Sequence, residues 1–208
     1  MERYFTLGRE KYMEKIILAS ASPRRSLLLK QWGIPFRVMP SDIDEEDLKL
    51  PGKPWEKAEK LALAKAENVA VKVKNGLVLG ADTIVVLDNV IFGKPKDCHE
   101  AYNMLKSLSG KYHEVITGVA IVNAGNGHYK TAHEKTKVFF ISADDTDIYA
   151  YINTGESEGK AGAYAIQGKG ALFVEKIEGC YTNVVGLPLV LINNLLKEFV
   201  VDYMIFEN

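Results

Sequence analysis

The chain has 208 residues, of which 47% are hydrophobic and 25% are charged, and its formal net charge is −1. This composition is ordinary for a soluble globular protein, and it supplies enough apolar side chains for one large domain or two small halves. A charge balance so close to zero creates no global field toward nucleic acid or an anionic membrane, so we expect neither as a partner. Any basic site must therefore be local.

The cysteines and the N-terminal residues bear on cellular location. Cys98 and Cys180 are far apart and have no metal-ligand spacing, so we predict that both are free thiols. No apolar run reaches the roughly 18 residues of a membrane span, and residues 1–12 mix charges unlike a secretion signal. We therefore expect a cytoplasmic protein. Residues 1–14 are predicted to be an N-terminal extension and residues 15–208 a single domain.

The predicted strands and helices intermix along the chain without a regular repeat. In chain order, the predicted helices cover 23–32, 54–74, 97–108, 144–151 and 188–199. The predicted strands cover 16–19, 77–80, 84–87, 90–92, 115–122 and 138–141, two segments within 162–174, and an edge strand over 200–206. This order indicates a mixed α/β protein, or an α+β variant of it, with an elongated sheet and two lobes.

Three local signals are specific enough to place single residues. Pro23 suits the first position of a helix that Gly33 ends. Asp88-Asn89, between two apolar runs, predicts a tight hairpin turn. Asp97, followed three residues later by Glu100, predicts a capping box at a helix start.

Two cationic segments far apart in sequence suggest one phosphate-binding cleft. Ser20-Ala-Ser-Pro-Arg-Arg joins a strand to a helix N-terminus, where free N–H groups favour an anion. Arg24 and Arg25 there oppose the helix dipole by ~0.3–1 kcal/mol each when exposed, and a bound phosphate would reverse that cost. The glycine- and lysine-rich segment 160–174 would let the backbone approach the same ligand. Two solvated arginines on an ordinary helix are the alternative.

Asp82 and Lys65 are the candidate catalytic pair. Asp82-Thr83 is predicted at the end of an apolar strand, where open α/β sheets place carboxylates that bind metal or act as a general base. A turn aspartate or a helix cap is the alternative. Lys65 falls on the apolar face of the predicted helix 54–74, so its ammonium must find a partner or extend to solvent. The Asp82 carboxylate or a cleft phosphate would be that partner.

Weaker signals surround this pair. Lys94 lies on a stiff Gly-Lys-Pro loop, for which a surface turn is the alternative. The acidic run 41–47 offers oxygen ligands of the kind that Mg²⁺ takes, although most such runs are solvated surface. Its carboxylates are Asp42, Asp44, Glu45, Glu46 and Asp47. The chain has no HExxH pair, no Walker A motif and no GxGxxG motif, so a zinc site of that kind, a P-loop and a dinucleotide fold are disfavoured.

Six short segments, in a fixed order between about Lys15 and Phe199, match one known family. They are Leu18-Ala-Ser-Ala-Ser-Pro-Arg-Arg, Gly80-Ala-Asp-Thr-Ile-Val, Gly93-Lys-Pro, Leu108-Ser-Gly, Lys160-Ala-Gly-Ala-Tyr-Ala-Ile-Gln-Gly and Val185-Gly-Leu-Pro-Leu. Together they resemble the Maf family of nucleoside triphosphate pyrophosphatases. The resemblance implies hydrolysis of a nucleoside triphosphate to the monophosphate and pyrophosphate, with a divalent metal cation such as Mg²⁺ or Mn²⁺. It also implies a homodimer and an ITPase-like elongated mixed sheet, flanked by helices, with two lobes around a deep cleft.

The resemblance also implies a substrate branch. Family members acting on dTTP and UTP have arginine after Ser-Pro, Asp-Thr in the second motif and Ile-Gln-Gly in the last. Arg24, Thr83 and Gln167 match that branch and would set base preference. The branch preferring 7-methyl-GTP looks different at all three places. The Gln167 amide offers a donor and an acceptor, which suits the O4 and N3–H edge shared by uracil and thymine.

Further roles carry over position by position from the resemblance. Asp82 would accept the water proton, with Lys65 beside it as the second catalytic residue. Asp44 and Asp82 would help to hold the metal. The implied contacts to phosphates or to the catalytic carboxylate come from Ser20, Arg25, Lys65 and Lys94. The chain departs from the family pattern at Gly159, where many relatives carry aspartate, and in the residues before Met13.

Two other functions are weighed against this enzyme. A regulator of cell division and septum formation, binding nucleotide with negligible turnover, is the alternative within the same resemblance. A nucleic-acid binder is disfavoured because the chain lacks a net positive charge and a basic face interleaved with aromatic residues.

Overall fold

The computed structural model describes residues 16–44 and 50–199. The strands are β1 (Ile16–Leu18), β2 (Phe36–Val38), β3 (Leu77–Leu87), β4 (Val90–Phe92), β5 (Tyr112–Asn123), β6 (Tyr129–Phe140) and β7 (Val174–Glu178). The helices are α1 (Pro23–Trp32), α2 (Pro54–Ala70), α3 (Cys98–Leu108), α4 (Asp145–Ile152), α5 (Tyr181–Val185) and α6 (Leu189–Lys197), with 3₁₀ turns over Ala161–Ala163 and Lys169–Phe173. The predicted extension over 1–14 and edge strand over 200–206 lie outside the described residues.

One mixed seven-stranded sheet organises these elements, in the order β2-β1-β3-β5-β6-β7 with β4 paired to β3. The strand β1 runs parallel to both β2 and β3, whereas β3, β5, β6 and β7 pair antiparallel. The longest pairing joins β3 to β5, from Leu77 opposite Asn123 to Val86 opposite Glu114. The predicted mixed α/β class, with helices flanking an elongated sheet, is confirmed.

The sheet is the middle one of three packed layers. Side chains alternate between its two faces along β3 and β5, and helices cover both faces. On one face, the alanine-rich side of α2 packs against Val78, Ala120 and Val122. On the other face, α1 and α6 pack over one end of the sheet, where Leu79 and Ile121 are buried. The helices α3 and α4 pack over the opposite end of that same face.

Two glycines allow α2 to lie unusually close to the sheet. A Cβ on Gly80 would come within 2.1 Å of the Ala62 carbonyl oxygen, and a Cβ on Gly118 within 2.2 Å of the Ala58 carbonyl carbon. Gly118 lies directly opposite Asp82 in the β3–β5 register. The backbone of α2 therefore contacts the sheet in the row of Asp82 itself and in the row of Gly80, two residues earlier on β3.

Several local predictions are confirmed. The helix α1 ends at Gly33 in a left-handed conformation with φ 79°. Asp88 and Asn89 form the β3–β4 turn with φ 51° and 65°. The Asp97 carboxylate caps α3 by accepting the Glu100 N–H at 2.7 Å, although the Glu100 carboxylate accepts the Lys96 N–H rather than completing a capping box. Both cysteines are free.

Other element boundaries were predicted wrongly. The segment predicted as strands over 162–174 forms 3₁₀ turns instead, with Gly162 and Ala163 at φ 68° and 61° and Gly168 at φ 140°, values that no strand adopts. The helix α2 ends at Ala70 rather than Lys74. The strand β2 and the short helix α5 had not been predicted. Within the described residues, no helix combines the length and the apolar character needed to cross a membrane.

Candidate active site

A deep cleft of about 1360 Å³ opens at a gap in strand pairing along one edge of β3. Pairing with β1 reaches Leu79, and pairing with β4 starts at Val85. Between them, within the described ranges, β3 is paired only with β5, on its other edge. Asp82 and Thr83 lie in this gap, and although they face opposite sides of the sheet, both line the cleft.

Asp82 therefore lies in the middle of an eleven-residue strand and not at a strand end as predicted. The prediction erred because Gly80 and the polar pair Asp82-Thr83 resemble a strand terminus. In the fold, these residues mark the place where one edge of β3 has no neighbouring strand among the described residues and where α2 approaches closely. The candidate site lies beside a break in pairing rather than beyond a strand's carboxyl end.

Lys65 and Asp82 form a buried ion pair. Lys65 Nζ lies 2.7 Å from Asp82 Oδ1, and each side chain is only 10% exposed. Lys65 does not extend to solvent, so the partner interpretation of this residue is confirmed. The second oxygen of Asp82 makes no hydrogen bond within the described part of the chain. One carboxylate oxygen is thus held by the ammonium, which leaves the other for a ligand.

Arg25 is anchored by three hydrogen bonds that join distant parts of the chain. Its guanidinium donates to Ser20 Oγ at 3.0 Å, to Thr83 Oγ1 at 3.0 Å and to the Gly186 carbonyl at 2.8 Å. These contacts tie α1 to the middle of β3 and to the turn after α5. The guanidinium is therefore oriented before any ligand arrives.

A hydroxyl chain continues from Arg25 into the sheet. Thr83 Oγ1 lies 2.9 Å from Thr117 Oγ1, which donates to the Asn183 carbonyl at 3.2 Å. Because Thr117 uses its one proton on the Asn183 carbonyl, the Thr83 hydroxyl is the donor to Thr117. The fully buried Asn183 donates its amide to the Val115 carbonyl and to Thr136. This network fixes the position of the Thr83 hydroxyl.

Arg24 differs from Arg25 in having no hydrogen-bond or ion-pair partner in the part of the chain that the structure describes. It is half-buried and lines the cleft, and within the described residues no acceptor or carboxylate pairs with it. Burial lowers the pKa of its guanidinium. Burial and the nearby Arg24 charge also lower the pKa of Lys160, whose Nζ donates to the Glu158 carbonyl at 3.0 Å. A cation half-buried without a counter-charge indicates an anionic ligand.

The charges lining the cleft are predominantly positive. The cations are Arg24, Arg25, Lys65, Lys94, Lys96 and Lys160, and the acids are Asp42, Asp44, Asp82 and Glu100. Asp42 is neutralised at the rim by Lys72, at 2.8 Å, and this contact lowers the pKa of its carboxyl. The remaining surplus of cations suits a ligand with several phosphate charges.

The oxygen donors of the cleft include both predicted metal ligands. Asp44 and Asp82 both line it, and both supply the oxygen atoms that Mg²⁺ and Mn²⁺ prefer. Residues 16–44 and 50–199 contain no group of three or more potential ligands. Two carboxylates with substrate phosphates fit a Mg²⁺ site, which uses few protein ligands. Glu45, Glu46 and Asp47 lie outside the described residues.

Gln167 is the predicted site residue that stands apart from the others. It is half-buried, and the preceding Ile166 lines the cleft whereas Gln167 does not. Its side-chain amide has no hydrogen-bond partner in the described ranges. The structure thus brings eight of the predicted positions to one cavity and leaves Gln167 beside it. Those eight are Ser20, Arg24, Arg25, Asp44, Lys65, Asp82, Thr83 and Lys94.

Sequence reasoning missed several contributors to the site. Thr117 and Gly118 interrupt the apolar run 115–122, and that interruption, facing Asp82-Thr83, was a usable signal. Asn183 and Gly186 gave no such signal in the sequence. The Asn183 amide and the Gly186 carbonyl reach their partners on β5 and Arg25 only when the chain folds back.

Together, the mixed sheet, the cationic cleft and the buried lysine–aspartate pair define a protein with a cleft whose charge suits a polyanionic ligand beside a buried carboxylate. The model of the family described as Maf-like protein matches residues 15–199. The chain belongs to the Maf family.

Curated relatives match nearly the whole chain. The dTTP/UTP pyrophosphatase of Ruminiclostridium cellulolyticum is 56% identical over 186 residues, covering 89% of this chain and 96% of the relative. The dTTP/UTP pyrophosphatase of Pelotomaculum thermopropionicum is 51% identical over 189 residues, covering 90% and 97%. A crystal structure of a nucleoside-triphosphatase / dITP/XTP pyrophosphatase from Mycobacterium abscessus gives a TM-score of 0.43 at 18% identity, over 61% of this chain and 74% of that one.

Proposed function

We propose that this protein is a nucleoside triphosphate pyrophosphatase that hydrolyses dTTP and UTP to the monophosphate and pyrophosphate. The names of relatives that share half or more of its residues support the reaction class and the bases. The observation that carries the proposal is the buried Lys65–Asp82 pair lining a cationic cleft. A carboxylate held by an ammonium on one oxygen has its other oxygen available to orient and deprotonate water.

The acidic and basic residues of the cleft have different roles in the proposed reaction. Asp82 receives the proton of the water that attacks the α-phosphorus, and Lys65 holds Asp82 in place. Arg24, Arg25 and Lys94 neutralise phosphate charge, which makes pyrophosphate a better leaving group. Because Arg25 is already oriented by three hydrogen bonds, it needs little reorganisation when the triphosphate binds. Positioning and electrostatics supply most of the acceleration.

Asp44 and Asp82 are the residues that would hold a divalent cation. When bound, such a cation neutralises phosphate oxygens and polarises the phosphoryl group. The protein's contribution is to present these two carboxylates in a cleft whose lining charges are predominantly positive, so that both the metal and the phosphates meet complementary charge.

Base preference rests on Arg24, Thr83 and Gln167. Thr83 contributes through Arg25, because its hydroxyl already pairs with that guanidinium and with Thr117. Arg24 and the Gln167 amide, which lack partners in the described chain, are the groups available to a pyrimidine nucleotide.

A panel of nucleoside triphosphates with Mg²⁺ or Mn²⁺, reading pyrophosphate and monophosphate separately, tests the proposal. We expect turnover of dTTP and UTP well above that of the purine nucleotides. Tight nucleotide binding without turnover of any triphosphate would instead favour the regulatory function in cell division.

The homodimer and the cytoplasmic location remain predictions from the resemblance and from the sequence. Light scattering coupled to gel filtration measures the oligomeric state directly. A monomeric mass at micromolar concentration would remove the dimer from the proposal.

A further inference from the structure

The loop that carries Gln167 is held at both ends by α4 and the turn after it. The Tyr151 hydroxyl, on α4, accepts the Ala165 N–H at 3.2 Å. The Glu156 carboxylate, in the turn after α4, accepts the Lys169 N–H at 2.9 Å and 3.2 Å through its two oxygens. It also accepts the Gly170 N–H at 3.4 Å. Gln167 lies between these two anchor points.

The contacts between the loop and its anchors leave no room for added atoms. Gly168 has φ 140°, and a Cβ there would lie 2.7 Å from Glu156 Oε2. A Cβ on Gly170 would lie 2.9 Å from the Tyr151 hydroxyl and 2.5 Å from the Ala165 carbonyl oxygen. The two glycines therefore allow the backbone to close around the Glu156 carboxylate and the Tyr151 hydroxyl.

The Glu156 contact takes the place that an anion would otherwise occupy. Consecutive N–H groups in a glycine-rich turn form a concavity that binds phosphate or carboxylate. Here the N–H groups of Lys169 and Gly170 are already used by Glu156, in charge-assisted hydrogen bonds. The Gly-Lys-Gly stretch is thus not a phosphate cradle, as the sequence suggested, but a loop fastened by an internal carboxylate.

The anchors also face the cationic wall of the cleft. The charge of Arg24 acts on the Tyr151 hydroxyl, and the charge of Glu156 acts on both Tyr151 and Lys160. Tyr151 is buried in the core that α3 and α4 form. Glu156 and Tyr151 therefore connect a rigid core to the loop of Gln167 on one side and to the surroundings of Arg24 on the other.

We propose that Glu156 is a positioning residue that sets pyrimidine selectivity by holding the Gln167 loop. This inference rests on the proposed function. The Gln167 side chain has no partner within the described residues, so the backbone alone decides where its amide is presented. Loss of the Glu156 carboxylate frees the Lys169 and Gly170 N–H groups, and the loop then samples positions that no longer discriminate uracil from cytosine.

The test compares Glu156→Ala, Glu156→Gln and Gly168→Ala with a matched control, Glu158→Ala. Glu158 lies in the same turn and is exposed, and within the described chain its carboxylate accepts no hydrogen bond from the loop. For each protein, kcat and KM are measured for UTP and CTP, together with the thermal midpoint. Dissociation constants for the α,β-methylene analogues of both nucleotides are measured in parallel.

We expect Glu156→Ala to lower the UTP/CTP ratio of kcat/KM by about tenfold or more, through a rise in KM for UTP, because small misplacements of a contact group are costly. Glu156→Gln retains an acceptor oxygen and should recover most of the ratio. Gly168→Ala should reproduce the loss by displacing the carboxylate, and Glu158→Ala should leave the ratio unchanged.

The outcomes separate this inference from the proposed function. Equal UTP/CTP ratios in the parent protein and all three loop variants, with folded proteins, would overturn the role of Glu156. If the Glu156→Ala protein fails to fold, Gly168→Ala remains as the test, and an unchanged ratio in that variant would overturn the role of Glu156 as well. If the parent protein hydrolyses no triphosphate, the proposed function fails. The analogue dissociation constants then decide the role of Glu156 by the same ratio.

Discussion

At the scale of single residues, the Lys65–Asp82 pair is explained by chemistry better than by stability. Removing two charges from water costs several kcal/mol per ion, and their mutual attraction roughly offsets that cost. Replacing such a pair by apolar residues is often neutral or stabilising. A buried pair that lines a cleft, with one carboxylate oxygen unpaired in the described structure, is instead what a reaction at that oxygen requires.

Replacing Asp82 by asparagine tests this assignment. Asp82→Asn keeps an acceptor for Lys65 Nζ but removes the base, so we expect turnover to fall by roughly 100-fold or more. Circular dichroism checks that the variant is folded. Asp147→Asn, at an exposed position of α4, is the matched control and should retain activity. Unchanged turnover in Asp82→Asn would remove Asp82 from the mechanism.

His113 gives the protein a defined acid sensitivity. It is 1% exposed, it contacts the Tyr164 hydroxyl through Nε2 at 2.8 Å, and burial lowers its pKa to about 4. Below pH 6.5 the unfolded chain binds a proton that the folded protein excludes until about pH 4. Each pKa unit corresponds to about 1.4 kcal/mol, so this site alone removes about 3 kcal/mol of stability between those pH values.

Denaturant unfolding at several pH values checks this expectation. His113→Gln cannot titrate, so its free energy of unfolding should fall less steeply from pH 6.5 to 4 than that of the parent protein. His99→Gln, at an exposed position, should keep the parent slope. Parallel slopes for all three proteins would mean that His113 titrates normally in the fold.

At the scale of elements, the distance between α2 and the sheet decides the geometry of the Lys65–Asp82 pair. Gly80 and Gly118 place the backbone of α2 against β3 and β5 at Ala62 and Ala58. Lys65 follows one turn later on the same helix, and it is therefore close enough to reach Asp82. The small residues of α2 and of the sheet thus set the Lys65–Asp82 distance through packing alone.

Adding a methyl group at either glycine should move the helix. Gly80→Ala and Gly118→Ala each place a Cβ within about 2 Å of α2 backbone atoms, and overpacking of this kind costs typically 1–3 kcal/mol. We expect lower denaturation midpoints and lower turnover, because the 2.7 Å Lys65–Asp82 contact is disturbed. Gly93→Ala, where nothing lies within 4 Å of the added Cβ, is the stability control. Normal stability and turnover in both sheet variants would contradict this account.

At the scale of the whole molecule, the cleft lies where the core on one face of the sheet divides in two. Ala81 belongs to the cluster beneath α1 and α6, and Val85 belongs to the cluster beneath α3 and α4. Thr83, between them on the same face, belongs to neither cluster and pairs with Arg25 instead. A ligand in the cleft therefore contacts both lobes at once.

Ligand binding should accordingly stabilise the whole molecule. At 100 times its dissociation constant, an α,β-methylene UTP analogue adds about 2.7 kcal/mol, which corresponds to roughly 5–10 °C in the thermal midpoint of a domain of this size. Arg24→Ala should lose most of that shift, because the half-buried guanidinium then no longer meets the ligand charge. Arg37→Ala, an exposed change on β2, should keep it. Equal shifts in the two variants would exclude Arg24 from binding.

The sequence predicted most of the helices and the hairpin, because caps, turn residues and apolar spacing are local signals. It did not predict the turns over 161–173. Glycines and small apolar residues there fit either a strand or a turn, and the choice depends on Tyr151 and Glu156, which lie elsewhere on the chain. The length of β3 was missed for a similar reason, since only its pairing with β5 extends the strand through Asp82 and Thr83.

The sequence by itself determined the class of fold, the family and the identities of the candidate site residues, because ordered motifs and charge type can be recognised without coordinates. Only the tertiary structure decided which of them meet. It paired Lys65 with Asp82, oriented Arg25 through Ser20, Thr83 and Gly186, and left Arg24 without a partner among the described residues. It also fastened the Gln167 loop through Glu156. These contacts join residues up to 161 positions apart, so their distances are set by how α2 and the two lobes pack on the sheet.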